Sequence, residues 1–290
     1  MKKAVSIPAQ YMALFRAIET ARPSHKRLFS DPLAAAFLSR RQQWLHRAAT
    51  APLLGPLVVR TVNRRRSGAL SAVIARTHHI DRLLEKCIAG GAEQVLILGA
   101  GFDTRALRLG SLRQLPVTEF DLPNMIRFKR SILETTGAPP GRVRYCEADF
   151  NRQDLDTIVA DRQIDTSLVT TIILEGVTNC LTAAAVNSVF RVLGGFAKGA
   201  SLIFTYIDKL VLESPQLFEA TDRLVDRGSH KDEPRIFGFH PAELPHYLDL
   251  FGFALLEDNN VCECRRLYMP ERHALNRGYS FCRVAMAERR

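Results

Sequence analysis

The run Val95-Leu96-Ile97-Leu98-Gly99-Ala100-Gly101-Phe102-Asp103-Thr104-Arg105 carries an apolar strand into a glycine turn and then toward a helix. Gly99 and Gly101 lack a Cβ, so the backbone can turn sharply there and a ligand can approach it closely. Asp103 is placed to cap the helix that follows. Twenty-two residues past Gly99 the next strand ends in Glu119-Phe120-Asp121. A carboxylate at such a position accepts both ribose hydroxyls of an adenosine; the alternative is that Asp121 caps a helix opened by Pro123. After Gly99-x-Gly101, position 104 is Thr where a dinucleotide fingerprint has its third glycine. That glycine lets a helix pack tightly beside a pyrophosphate. Its absence favours a ligand without pyrophosphate, such as S-adenosylmethionine, over NAD or FAD.

Four segments together resemble the leucine carboxyl methyltransferase family. They are Leu98-Gly99-Ala100-Gly101-x-Asp103-Thr104-Arg105, Glu119-x-Asp121-x-Pro123 with Lys129 eight residues past Asp121, Ala148-Asp149-Phe150, and Leu174-Glu175-Gly176-Val177-Thr178-Asn179-Cys180-Leu181. The likeness is dense from about 70 to 190 and extends to Ser30-Asp31-Pro32. The family includes enzymes that methylate a protein's terminal carboxylate and bacterial enzymes assigned to secondary metabolism. The resemblance implies S-adenosylmethionine as cofactor. It sets Gly99 and Gly101 against the cofactor's amino-acid portion, Asp121 on the ribose, and Asp149 on the adenine amino group beside Phe150. Glu175 would lie near the methionine end, and Arg76 would pair with the cofactor carboxylate as a bidentate fork, with Lys26 assisting. Bland alternatives are a turn cap for Asp149, a basic-helix partner for Glu175 and a surface position for Arg76. Where the family often has tyrosine this chain has Cys180, a change that bears on acceptor preference. Tyr206 stands where family members line the acceptor pocket.

Methyl transfer from a sulfonium needs alignment and a nucleophile with a free lone pair. A carboxylate acceptor is already ionised at neutral pH, whereas a phenol or alcohol needs a base, for which His78, His79, His240 and His246 are the candidates. The expectation is an O-methyltransferase acting on a carboxylate or hydroxyl of a small acidic molecule. Rival readings are a nucleic-acid methyltransferase, a nicotinamide-dependent oxidoreductase and a non-enzymatic binding module. The Asn/Asp-Pro-Pro-Tyr type of motif for base amino groups is absent, so no nucleic-acid partner is expected.

Apolar runs that read as strands fall at 94–98, 116–121, 142–147, 168–174, 201–208, 253–258 and 278–287, with helical segments between them. Pro123 opens a helix that stops at Gly137. Thr182 caps one running to Gly199 with Gly194-Gly195 in its middle, and Pro241 opens one stopping at Gly252. This alternation argues for an α/β fold, a Rossmann-like, doubly wound, seven-stranded, mostly parallel sheet. A helix is expected in the insertion at about 209–239, on the substrate side. Residues 1–90 read as a helical, basic N-terminal cap and 91–290 as the cofactor-binding domain. Within the cap Ser30-Asp31-Pro32 starts a helix, Ala69 to Ile88 forms another, and the Pro/Gly-broken apolar stretch 51–59 is expected to pack against the main sheet.

The charge follows that division. The chain carries a net +10 over 290 residues, yet residues 1–90 hold sixteen lysines and arginines against four acidic residues. Such a cap could face nucleic acid, an anionic membrane, an acidic substrate or simply water. The six cysteines lack metal-site or disulfide spacing, so no metal is expected. Cys262-x-Cys264 is only a weak hint, and Cys146, Cys180 and Cys282 sit in apolar stretches as buried thiols do. Pro8, Gln10, Arg16 and Glu19 interrupt any signal-peptide core, and no run of about eighteen apolar residues occurs. A cytoplasmic protein without a transmembrane segment is the expectation.

Overall fold

A computed structural model describes residues 6–65, 67–137, 141–219, 235–270 and 278–290. Its centre is a sheet of β1 (Gln94–Leu98), β2 (Val117–Asp121), β3 (Val143–Glu147), β4 (Thr170–Leu174), β5 (Ser201–Ile207), β6 (Phe253–Asn260) and β7 (Cys282–Arg289). The order is β3-β2-β1-β4-β5-β7-β6. β7 runs antiparallel between β5 and β6, and the remaining pairs are parallel. The expected Rossmann-like sheet is therefore present. β1, β4 and β5 are buried at every position, as continuous Val/Ile/Leu-rich strands covered on both faces must be.

The helices are α1 (Ile7–Thr20), α2 (Arg40–Thr50), α3 (Gly55–Arg65), α4 (Ala69–Ala89), α5 (Arg105–Arg108), α6 (Pro123–Thr136), α7 (Leu155–Asp161), α8 (Ala183–Leu193), α9 (Leu210–Glu213), α10 (Leu244–Asp249) and α11 (Val261–Tyr268). α6 spans Pro123 to Thr136 with Gly137 as its C-cap, as its proline and glycine signals predict. Thr182 caps α8 through the Ala185 N–H, but α8 ends at Leu193 instead of Gly199. Two consecutive glycines each cost about 1 kcal/mol in a helix, enough to stop it. α10 begins at Leu244, three residues after Pro241. Of the expected insertion helix, α9 covers four residues, and 220–234 lie outside the described residues.

Two corrections concern the N-terminal helices. Ser30-Asp31-Pro32 leads only into a 3-10 turn, Ala34–Phe37, where Asp31 Oδ1 accepts the Ala34 N–H and Oδ2 goes to tertiary partners. The stretch 51–59 does not pack on the sheet: Leu53, Leu54 and Leu57 are exposed at the turn joining α2 to α3. Val58, Val59 and Val62 take the inward places on α3, against α1, α2 and α4. By contrast, Ile80, Leu83, Leu84 and Cys87 of α4 share a core with Val95, Ile97, Ile173 and Ile203 of the sheet. None of the six cysteines forms a disulfide, and Cys180 and Cys282 are only partly buried.

Candidate active site

The strand order reverses between β1 and β4, so the loops leaving these strands diverge and open a crevice at their C-terminal ends. A cavity of about 830 Å³ lies there, within the usual range for small-molecule sites. Arg76 from α4, Gly99 and Gly101 after β1, Asp121 at the end of β2, Asp149 and Phe150 after β3, and Glu175 after β4 all line it. Cys180 and Tyr206 line it as well. Lys26 is exposed and does not line the cavity; nor do His78, His79, His240 and His246, of which His79 is buried.

The glycine turn is positioned by backbone bonds. Gly99 N–H and Ala100 N–H both donate to the Phe120 carbonyl, at 2.8 and 3.0 Å. Gly99 has φ +70°, and a Cβ there would run into the Val177 side chain, so the turn requires glycine. Asp121 is fixed by its neighbours: Oδ2 accepts from Gly101 N–H (2.5 Å) and Oδ1 from Leu122 N–H (2.6 Å). It does not cap α6, whose N-cap is Leu122 with no side-chain bond. Asp149 Oδ1 holds the Asn151 N–H at 3.1 Å, and Phe150 packs against the main core.

The charged residues at the centre form one network. Glu175 Oε1 accepts from Arg76 Nε (3.0 Å), and Oε2 accepts from Arg105 (2.8 Å). Arg105 also binds Asp103 (2.5 Å) and Asp81 (2.7 Å) and is almost wholly buried. Asp103 is not the N-cap of α5, which is Thr104; it accepts the Arg105 backbone N–H and neutralises the Arg105 guanidinium. Behind it Lys129 pairs with Glu119, both buried, and burial pushes the Glu119 carboxyl up to about 7.

Burial opposes the ionised forms of Asp103 and Glu175, but the Arg105 guanidinium overcomes this and holds each at about 2, against ordinary values of 3.8 and 4.5. Folded-state values below the unfolded ones stabilise the fold above about pH 4.5, and this contribution disappears as pH falls toward 2. It amounts to roughly 2–3 kcal/mol per group. The melting temperature should therefore fall steeply below about pH 4.5, and Glu175→Gln should make that acid limb shallower. Thermal melts across the acid range check this; identical limbs would refute the network's role.

Tyr206, which also lines the cavity, sits in a different charge setting. Tyr206 is almost fully buried, and its hydroxyl donates to Asp258 Oδ2 at 2.7 Å. Asp258 in turn pairs with Arg283. Burial and the Asp258 carboxylate raise the Tyr206 phenol far above its ordinary value, so it stays protonated. Cys180, Cys282, Tyr279 and Arg235 also line the cavity.

Sequence reasoning missed three contributors. α1 lines the cavity through Tyr11, Met12 and Arg16. Asp31 accepts from Arg16 Nε (2.8 Å), Thr104 Oγ1 (2.7 Å) and the Ala34 N–H (3.1 Å), while Arg16 also donates to the Phe102 carbonyl (2.5 Å). This clamp ties α1 to the glycine loop. Arg105 was visible as a motif residue, but nothing in the sequence announced its three carboxylate partners.

A model of the family described as leucine carboxyl methyltransferase matches residues 9–194, well over half of the chain. The chain belongs to the leucine carboxyl methyltransferase family. It is an S-adenosylmethionine-dependent methyltransferase, in keeping with its curated relatives. A proposed S-adenosyl-L-methionine-dependent methyltransferase of Streptomyces coelicolor is 32% identical over 70% of this chain and 69% of its own length. One of Frankia alni is 31% identical over 66% of this chain and 64% of its own. Among solved structures, a proposed methyltransferase from Thermobifida fusca shares the fold of this family member with a TM-score of 0.59 at 17% identity. It covers 94% of this chain and 97% of its own. The cavity suits the cofactor: a zwitterionic amino acid needs a cation and an anion side by side, which Arg76 and Glu175 provide, and a ribose needs the acceptor that Asp121 presents.

Proposed function

We propose that this methyltransferase transfers a methyl group to a carboxylate oxygen of a small acidic molecule. The observation that carries this reading is the make-up of the acceptor wall. No histidine stands among the described residues lining the cavity, Tyr206 is committed as a donor to Asp258, and Arg235 brings a guanidinium to the wall. A carboxylate is ionised at neutral pH and has no proton to lose, whereas an alcohol or phenol would need a base. An arginine there suits an anionic acceptor. S-adenosylmethionine, when bound, supplies a methyl group on a positively charged sulfur, which a carboxylate oxygen takes by in-line displacement.

On the donor side Arg76 binds the cofactor carboxylate, Glu175 its ammonium group, Asp121 the ribose and Asp149 the adenine amino group beside Phe150. Gly99 and Gly101 allow the close approach. Cys180 and Tyr206 shape the acceptor pocket. Residues 1–90 act as the cover and 91–290 as the cofactor-binding domain; α1 and the head of α4 lining the cavity support this, although the tail of α4 packs with the sheet. We place the protein in the cytoplasm and its product in bacterial secondary metabolism. The nucleic-acid and nicotinamide readings gain no support.

Labelled methyl transfer to a panel of small carboxylic acids and matched phenols tests the reaction. The expected product is an ester that releases methanol in mild base, with kcat/KM flat from about pH 6 to 8, above the acceptor's pKa. A base-stable product overturns the carboxylate reading. Arg76→Ala and Asp121→Ala should each weaken S-adenosylhomocysteine binding about 10–100-fold, since each removes charge-assisted bonds. Unchanged affinity in both overturns the site assignment.

A further inference from the structure

We infer that the hairpin of α2 and α3 docks on the surface of an anionic lipid bilayer. Its turn presents large apolar side chains to solvent: Leu53 is 93% exposed, Leu54 and Leu57 64% each, and Trp44 on α2 72%. Soluble surfaces seldom gather such residues without a partner. The turn is held by close packing, because a Cβ on Gly55 would come within 2.6 Å of the Ala49 carbonyl.

The charge around this tip is of one sign. Between Asp31 and Asp81 the chain has no acidic residue, and Arg40, Arg41, Arg47, Arg60, Arg64 and Arg65 on the two helices are exposed. Helical spacing sets them on the outward faces. On α2, Arg40, Trp44 and Arg47 follow i, i+4, i+7, while Gln42 and Ala49 point inward. On α3, Leu57, Arg60 and Arg64 follow i, i+3, i+7, opposite Val58, Val59 and Val62. The leucines thus stand at the turn with Arg60 and Arg64 behind them on α3, while Trp44 shares the outward face of α2 with Arg40 and Arg47.

A bilayer with anionic headgroups matches both parts at once. The leucines and tryptophan enter the boundary between headgroups and acyl chains, and the arginines reach the phosphates. Four to eight basic residues beside an apolar anchor is the composition that binds such surfaces, and the two signals reinforce each other. A nucleic acid would satisfy the arginines but leave the apolar tip facing water. No helix among the described residues is long and apolar enough to cross a membrane, so the attachment is peripheral. The hairpin's inner side rests on the helices that line the cavity. His46 Nε2 lies 3.3 Å from the Ala17 carbonyl of α1, and Asn63 accepts from the Ser71 N–H of α4 at 3.1 Å. Docking therefore holds the active site near the membrane surface.

Trp44 is the chain's single tryptophan, so its fluorescence reports this face directly. The full-length protein is to be mixed with vesicles of phosphatidylcholine, with and without phosphatidylglycerol, and then sedimented. Co-sedimentation with the anionic vesicles, weakening as salt rises, and a blue shift of Trp44 emission are expected. The doubly substituted Leu53→Asp/Leu54→Asp protein should lose about tenfold or more of this binding. Its S-adenosylhomocysteine affinity should stay unchanged, which shows that it is folded. Absence of sedimentation at low salt, binding unaffected by the double substitution, or tighter binding to mixed RNA or DNA than to vesicles would each overturn the proposal.

Discussion

Replacing Arg105 with methionine is expected to lower the melting temperature by roughly 5–15 °C at neutral pH and to cripple S-adenosylhomocysteine binding. Arg105 is shared by Asp81, Asp103 and Glu175, at 2.7, 2.5 and 2.8 Å. Without it Asp103 loses its ion-pair partner, while Asp81 keeps Arg108 and Glu175 keeps Arg76. Breaking a buried pair by removing one partner costs about 3–5 kcal/mol, a large share of a typical folding stability. The surviving acids would escape part of the cost by taking up protons, so their pKa values rise. Two consequences separate this from a simple loss of packing. The variant should gain stability relative to wild type as pH falls from about 7 to 5, and adding Glu175→Gln should recover part of the loss. Arg105→Lys should be milder, because a point charge serves fewer partners than a planar fork. Calorimetric melts at two pH values decide the matter: a methionine variant as stable as wild type would show that the network carries no weight.

Asp31→Ala should be the second most damaging change, although Asp31 does not line the cavity. Its carboxylate joins Arg16 of α1, Thr104 of the glycine loop and the turn at Ala34. Removal leaves the Arg16 guanidinium, 9% exposed, without its counter-ion. The expected loss is about 3–5 kcal/mol. The loop from Gly101 to Thr104 would also lose its anchor, so S-adenosylhomocysteine affinity should fall in the molecules that remain folded. Thr104→Val removes one bond of the clamp and should cost about 1 kcal/mol. Isothermal titration and thermal melts on both variants provide the check. Unchanged affinity with lowered stability would reduce Asp31 to a structural role, and no change in either would remove it from the site.

Local signals explain why so much of the sheet was legible. The central parallel strands β1, β4 and β5 are short, largely apolar runs buried along their whole length, so alternation with helices identifies them without tertiary information. Gly99, Asp121, Asp149 and Glu175 follow successive strands, and a doubly wound sheet brings such positions to one edge. Boundaries were less readable where competing signals met. Gly194-Gly195 ended α8 early, and the apolar stretch 51–59 looked like core because its composition does not tell which neighbours are already covered.

The amino-acid sequence by itself determined the sheet, the glycine turn and the family, because each rests on residues within a strand and the loop that follows it. The tertiary structure alone decided how Arg16 meets Asp31 and Thr104, how Arg105 gathers three acids, and that the α2–α3 turn faces outward. These charged groups find partners far away along the chain: 73 residues separate Asp31 from Thr104, 70 separate Arg105 from Glu175 and 99 separate Arg76 from Glu175. A charged residue's type states only that it needs a partner or water; which of these it finds depends on the folded chain around it.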